Sequence, residues 1–419
     1  MKLISTSSLG AQAQLDRIFT RRNASYSRAL PAAQRIIAAV RRDGDKALRR
    51  YAARLDQLSP QTPLRISADE LAAAWATAPP PFKDALKIAS KNIRAFAERQ
   101  RPKEWTFAPV PGLTVAQLLR PLDAAGCYVP GGRYPLPSTL LMTVIPAQVA
   151  GVARIVVVSP RPAPETLAAA AMLGVTEFYR VGGAQAIAAL AYGTERVAPV
   201  DKIVGPGNAY VTSAKKLVAF DCAIDMLAGP TEIVITSDNG SPDWIATDLI
   251  AQAEHDPDAL AIFVTTTATL ARAIVAEVKQ RVRSNPTARE AIRHHGLGII
   301  ARTRDEAREI TNRIAPEHLT VDSEADLAWI RNAGSVFIGP SSAQPLGDYI
   351  SGPNHTLPTS GLARVRGGLS VADFLKIITV QEYIPQGLRK LGSAAITLAQ
   401  AEGLHGHAEA IRVRLGGRQ

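Results

Sequence analysis

From Thr114 onward the chain alternates short β-branched runs with alanine-rich stretches of helical spacing, and this alternation constrains the fold more than any other feature. Strands are predicted over 154–159, 177–181 and 202–204, with helices over 165–173 and 184–191. A second series places strands at 232–236, 260–265, 298–301 and 335–338, and helices at 243–255, 270–283 and 304–314. Strand, helix, strand is the βαβ unit, whose repetition builds a parallel sheet covered by helices. Two such sheets in sequence, separated by the Gly-Pro punctuation of Asp225-Met-Leu-Ala-Gly-Pro230, predict an α/β chain of two parallel-sheet domains.

The first hundred residues read as helices: 28–55 repeats apolar positions at helical spacing, and Ser67-Ala-Asp-Glu70 is a capping box. Beyond Gly361 the pattern loosens into a 371–378 segment and a final helix from about 394 to 415, read as an arm that packs on a neighbour. At 419 residues the chain is too long for one ordinary core, and 47% hydrophobic content is ample for several.

A formal charge of +11 raises nucleic acid, membrane surface and anionic ligand as partners. Arg21, Arg22, Arg41, Arg42, Arg49 and Arg50 are spread along helical stretches without interleaved aromatics, and only 5% of residues are aromatic. The stacking platforms of single-strand binders are therefore missing, and no nucleic-acid partner is expected. No run approaches the roughly 18 apolar residues of a membrane span, so no membrane partner is expected either. Cys127 and Cys222 build no disulfide framework and read as small buried hydrophobes in a reducing, cytoplasmic setting.

Three glycine turns lie between a strand and a helix: Tyr128-Val-Pro-Gly-Gly132, Gly182-Gly183-Ala184-Gln185 and Gly205-Pro206-Gly207-Asn208. At the carboxyl ends of strands such turns face the crevice where open α/β sheets bind ligands. None is a complete dinucleotide fingerprint, and an acidic residue at the usual spacing is uncertain. Gln185 and Asn208 are positioned to bond ribose or phosphate; solvent exposure and helix capping are their plain alternatives.

None of the seven histidines precedes residue 255. Gln252 and His255 stand three apart on a predicted helix, so both project from one face as metal-ligand candidates, with Asp348 and a histidine of the terminal helix as further candidates. Glu317-His318 follows Ala315-Pro316, which sets the pair at a helix break where a carboxylate and an imidazole can serve one reacting centre. His294-His295 sits in a basic stretch with only Glu290 for acidic company and reads as surface. No Gly-x-Ser-x-Gly elbow supports serine hydrolysis.

Taken together these motifs resemble the L-histidinol dehydrogenase family. The likeness is carried by the three glycine turns, Gln252-Ala-Glu-His255, Ala315-Pro-Glu-His318, Gly347-Asp-Tyr349, Gly352-Pro-Asn-His355, Leu357-Pro-Thr-Ser-Gly361 and Glu402-Gly-Leu404, in order over most of the chain. The resemblance implies two Rossmann-like domains with an N-terminal helical region and a C-terminal dimerisation arm. Residues 1–125 would form the helical region, packing with the second α/β domain. Residues 126–230 would bind NAD, 231–360 would hold zinc and the catalytic groups, and 361–419 would be exchanged between the subunits of a homodimer.

The implied reaction oxidises L-histidinol through L-histidinal to L-histidine with two NAD and one zinc ion per subunit, the last step of histidine biosynthesis. By resemblance the zinc ligands are Gln252, His255, Asp348 and His407, the last from the other subunit. His318 is the base and Glu317 activates water. Thr231, His318, His355 and Glu402 join the four ligands in touching substrate, while Tyr128, Gln185 and Asn208 touch NAD. Thr231 stands where the family has Ser, and Gln344 where it has an acidic residue; family spacing selects His407 over His405. Rival readings are a dehydrogenase of the same scaffold acting on another polar alcohol, suggested by Gln344 and Arg133, a zinc hydrolase using Glu317, and a basic scaffold without activity.

Overall fold

The computed structural model describes residues 1–20, 26–131 and 134–416. Arg21, Arg22, Gly132 and Arg133 lie outside the described residues. The chain forms two compact units, Met1–Gln100 with Asp123–Phe374, and Arg101–Leu122 with Leu375–Gln419.

The larger unit holds two parallel sheets. In the first, spatial order runs Glu177–Tyr179, Arg154–Val158, Ala124–Tyr128, Lys202–Val204, Ala223–Ile224. In the second it runs Lys2–Ser5, Leu297–Ile300, Leu260–Thr265, Glu232–Thr236, His318–Val321, Ser335–Ile338. Apart from Lys2–Ser5, both follow one plan: the first strand in the chain is central, the next two extend to one side and the last two to the other. Each sheet therefore has its topological switch beside its central strand, where ligands bind at the carboxyl ends. Helices on both faces bury the strands, which explains continuous runs such as Arg154-Ile-Val-Val-Val158 rather than an alternation of polar and apolar residues.

The N-terminal region departs from the sequence reading in two ways. Lys2–Ser5 is a strand, because its edge pairing with Leu297–Ile300 buries Ile4. This strand and the helix Ala11–Thr20 accompany the second sheet, Ile4 and Leu15 joining Val234 and Ile262 in one core. The helix Tyr26–Leu55 instead packs on Gly183–Tyr192 and Ala209–Val218 of the first half. Ala33, Ala47, Leu48 and Ala52 share a core there with Val156, Ile187 and Ile203. The packing expected on the second α/β domain is thus corrected for most of the helical region, since its small buried alanines match an alanine-rich helix face. Ser67 caps Ala68–Thr77 with the reciprocal Glu70 contact that the sequence predicts.

The smaller unit is a three-stranded antiparallel sheet, Leu375–Tyr383 beside Leu113–Pro121 beside Trp105–Val110, followed by helices Pro385–Ala401 and His405–Arg412. The single final helix of the sequence reading is two, broken at Gly403 with φ 72°.

Candidate active site

A buried polar cluster sits at the amino ends of the second sheet's strands. Thr231 immediately precedes Glu232–Thr236, and His318 opens the neighbouring strand His318–Val321. The helix Arg304–Ile314 ends on Ala315 in the left-handed region, φ 52°, and the chain turns through Pro316 into Glu317. This break brings the Glu317-His318 pair into the interior: both residues are buried.

Thr231 Oγ1 donates to Glu317 Oε2 at 2.5 Å, and the Glu232 N–H donates to the same oxygen at 2.9 Å. The Gln252 amide nitrogen donates to Thr231 Oγ1. His318 Nδ1 lies 3.2 Å from the Glu232 carbonyl and 3.7 Å from Glu317 Oε2, and Nε2 lies 3.5 Å from Asp348 Oδ1. Asp348, in the short helix Pro345–Tyr349, accepts from Gln344 Nε2 at 2.8 Å. His355 Nδ1 meets the Asp348 carbonyl at 2.8 Å and its Nε2 meets Thr139 Oγ1 at 3.3 Å. His318, Asp348 and His355 share the wall of a cavity of about 390 Å³.

The titrations are set by this closeness. Burial pushes the Glu317 carboxyl above its usual range, against the opposing charge of His318 and the bonds from Thr231 and Glu232. Burial alone would depress His318, but Glu317 and Asp348 outweigh it and hold the imidazole pKa up. Asp348 is kept low because His318, His355 and Gln344 together outweigh its burial. His355 is depressed by burial in spite of Asp348. The cluster thus pairs an imidazole that titrates above its ordinary range with two carboxylates of opposite tendency, an arrangement suited to moving protons.

Among the described residues, no three His, Cys, Asp or Glu side chains gather as a metal group. The sequence-derived ligand set includes an amide, however. Gln252 is buried and its Oε1 has no hydrogen-bond partner. His255 follows the same helix, Pro242–Ala253, and is exposed, yet its charge is felt at His355. Glu402 and His407 belong to the smaller unit, Glu402 at the end of Pro385–Ala401 and His407 within His405–Arg412, both exposed.

The second site lies at the carboxyl ends of the first sheet, at its topological switch. A cavity of about 600 Å³ is lined there by Tyr128, Gly131, Gly183, Gln185, Asn208 and Asp56 among others, within the usual size range for small-molecule sites. Asn208 caps Ala209–Val218, accepting from the Tyr210 and Val211 N–H groups at 3.0 and 3.2 Å. The Tyr128 hydroxyl accepts from the Gly183 N–H at 3.1 Å. Gln185 is fully buried, contrary to its plain reading as an exposed helix start, because Asp56 closes over it. Gly205, φ 111°, is demanded by the turn: a Cβ would stand 2.1 Å from the Tyr128 carbonyl. The buried pair Lys215–Asp225, 2.6 Å apart, clamps that glycine from both sides, Asp225 accepting from its N–H and Lys215 donating to its carbonyl.

Asp56 and Lys215 carry no motif and are absent from the sequence-derived site. His295 has an acidic neighbour the sequence reading did not give it, Asp258 at 3.3 Å. Cys127 and Cys222 are buried, and burial pushes both thiols up to about 12, so neither is a nucleophile near neutral pH.

Comparison with known proteins decides among the rival readings. The histidinol dehydrogenase family model matches residues 19–415. The chain belongs to the histidinol dehydrogenase family. A relative of that name from Methanothermobacter thermautotrophicus is 47% identical over 393 residues, covering 91% of this chain and 92% of its own. One from Gluconobacter oxydans is 44% identical over 427 residues, covering 99% of each. The solved histidinol dehydrogenase of Elizabethkingia anophelis superposes with a TM-score of 0.93 at 34% identity, over 99% of this chain and 98% of that one. The α/β architecture of parallel sheets is therefore that of the histidinol dehydrogenases, and the protein is an oxidoreductase acting on CH–OH groups. The hydrolase and basic-scaffold readings fall with that result.

Proposed function

We propose that this enzyme oxidises L-histidinol through L-histidinal to L-histidine with two NAD and one zinc ion per subunit, as the last step of histidine biosynthesis. It acts as a cytoplasmic homodimer whose C-terminal arms are exchanged. No helix among the described residues is long and apolar enough to cross a membrane. The observation that carries the reading is the buried chain Gln252–Thr231–Glu317 beside His318 and Asp348.

The residues present fit zinc. A buried amide oxygen without a donor is costly, and the Gln252 Oε1 gains a partner when a cation binds. Carboxylate, imidazole and amide donors from Asp348, His255 and Gln252, with His407 of the exchanged arm, give a four-ligand set of N and O atoms. When bound, zinc would supply a Lewis acid for the oxygen of the amino alcohol, and NAD would supply the hydride acceptor. His318 takes the hydroxyl proton, and its partners Glu317 and Asp348 stabilise the imidazolium that results. Glu317, held at one oxygen by Thr231 and the Glu232 N–H, orients and deprotonates the water that adds to the aldehyde. His355, kept neutral by burial, supplies a polar wall without repelling the substrate ammonium.

Gln344 is spent inside this network, since its amide holds Asp348. The decisive experiment is steady-state turnover of histidinol in a zinc-loaded preparation, with two NADH formed per histidinol and loss of activity to a chelator. Bound zinc without that turnover, or turnover untouched by zinc removal, overturns the proposal.

A further inference from the structure

In the dinucleotide fingerprint the acidic residue that bonds the adenosine ribose stands at the end of the second strand. Here that strand ends in Val158-Ser159-Pro160-Arg161, with no acid. A carboxylate is nevertheless present at the same edge of the cavity, supplied by a distant part of the chain. Asp56, just past the helix Tyr26–Leu55, is buried and lines the cavity beside Pro160 and Arg161.

The hydrogen bonds of Asp56 are divided unevenly. Its Oδ2 accepts from the Gly182 N–H and from Gln185 Nε2, both at 3.0 Å. Its Oδ1 accepts no hydrogen bond among the described residues. Gln185 shows the same asymmetry: Nε2 is committed to Asp56, while Oε1 is buried without a partner. That oxygen lies over Gly183, 2.8 Å from where a Cβ would stand, so only glycine leaves it room. Two acceptors joined by one hydrogen bond, each with an oxygen to spare, match a ligand that presents two adjacent donors. A vicinal diol is such a ligand, and a phosphate, which is all acceptor and negative, is not.

We propose that Asp56 and Gln185 together recognise the adenosine ribose diol of the dinucleotide, and that Asp56 makes this enzyme select NAD over NADP. The assignment rests on the NAD reading of the first-half cavity. Arg161 is the competing consideration, because an arginine at this edge can hold a 2′-phosphate; its guanidinium instead donates to Gln57 Oε1 at 3.2 Å. Arg35 and Arg54 also line the cavity, where their charge offsets that of the pyrophosphate.

The test is calorimetric titration of the zinc-loaded full-length protein with NAD, NADP and NAD carrying 2′-deoxyadenosine, repeated on Asp56→Asn. A hydrogen bond to a charged group corresponds to about tenfold or more in affinity. The unaltered protein is expected to bind the deoxy analogue and NADP at least about tenfold more weakly than NAD. Asp56→Asn is expected to lose a similar factor for NAD, with little further loss for the deoxy analogue, and to narrow the gap to NADP. Equal loss for NAD and its deoxy analogue would mean that Asp56 only props Gln185 and Gly182, and overturns the assignment. So does preference for NADP in the unaltered protein, an outcome that needs no variant to fold. Failure to bind any dinucleotide removes the NAD reading itself, and the two failures are thereby told apart.

Discussion

Thr231 stands between Glu317 and Gln252, giving its only hydroxyl proton to Glu317 Oε2 at 2.5 Å and receiving the amide of Gln252. Because a hydroxyl has one proton, this direction is fixed as long as Glu317 is a carboxylate. The Gln252 nitrogen must then face Thr231, and its oxygen must face away, where it is buried without a partner. One hydroxyl thus aims both the proposed metal ligand and the carboxylate proposed to activate water. Thr231→Val removes both bonds at constant shape and is expected to weaken zinc binding by about 10- to 100-fold, the usual effect of losing a contact that orients a metal ligand. Thr231→Ser keeps the hydroxyl and should bind zinc as the unaltered protein does. Competition with a chromophoric chelator reads both; equal affinity for Val and Ser variants would refute the orienting role.

Glu317 is the first of the influences that hold the His318 pKa up against its burial. A base must be neutral to accept a proton, so turnover should be weak at low pH and rise as pH climbs through a His318 pKa above its ordinary 6.5. In Glu317→Gln that supporting charge is gone, and the rising limb should move to lower pH. The same variant loses the group proposed to deprotonate water, so in a single turnover the first NADH should form readily and the second about 100-fold or more slowly. Stopped-flow absorbance across pH separates the two effects. An unmoved limb would mean that His318 is not the titrating base.

Much of the architecture was legible because parallel strands buried on both faces leave a plain signature of short apolar runs between alanine-rich helices. What escaped was long-range pairing. Nothing in Met1-Lys-Leu-Ile-Ser5 announces that it will extend an edge formed by Leu297–Ile300, or that Leu113–Pro121 will pair with Leu375–Tyr383. The proposed site groups were legible as residue types, Glu317 and His318 as an acid-imidazole pair at the break after Ala315-Pro316 and Asp348 as a carboxylate suited to zinc. In the first-sheet cavity Gln185 was legible from its glycine turn, but its partner Asp56 was not, being a lone aspartate after an amphipathic helix with no motif around it. The two α/β halves share a strand order but line the crevices at their switch points differently. In the second, Asp238 occupies the corresponding crevice and is consumed by Thr265, Thr266 and Arg304.

The proposed exchange of arms is open to a complementation test. If His407 completes the metal site of the partner, then a subunit with His407→Asn and one with His318→Asn are each inactive as homodimers but complementary when mixed. A heterodimer has one site with both defects and one with neither. After random reassociation roughly a quarter of the sites are intact, because half the dimers are mixed and each has one good site of two. Return of about a quarter of the activity after denaturation and co-refolding supports exchange, and no recovery despite mixed dimers by mass argues that each arm serves its own chain.

Asp248 offers a prediction about stability rather than turnover. It lies on the helix Pro242–Ala253, mostly buried, and burial alone pushes its carboxyl up to about 6. For an acid whose folded pKa is raised, the folded protein binds the proton more tightly than the unfolded chain. Below the unfolded value of 3.8 both states are protonated and the site costs nothing. As pH climbs from there to about 6 the unfolded chain ionises first, and stability is lost across that window. Above it the full cost persists. A rise of that size corresponds to about 3 kcal/mol at most, and the partial exposure of the side chain reduces the cost to on the order of 1 kcal/mol. Asp248→Asn should therefore raise the urea midpoint at pH 8 and leave it nearly unchanged at pH 3.5. An equal gain at both pH values would show that the stabilisation comes from packing or helix propensity and not from the buried charge.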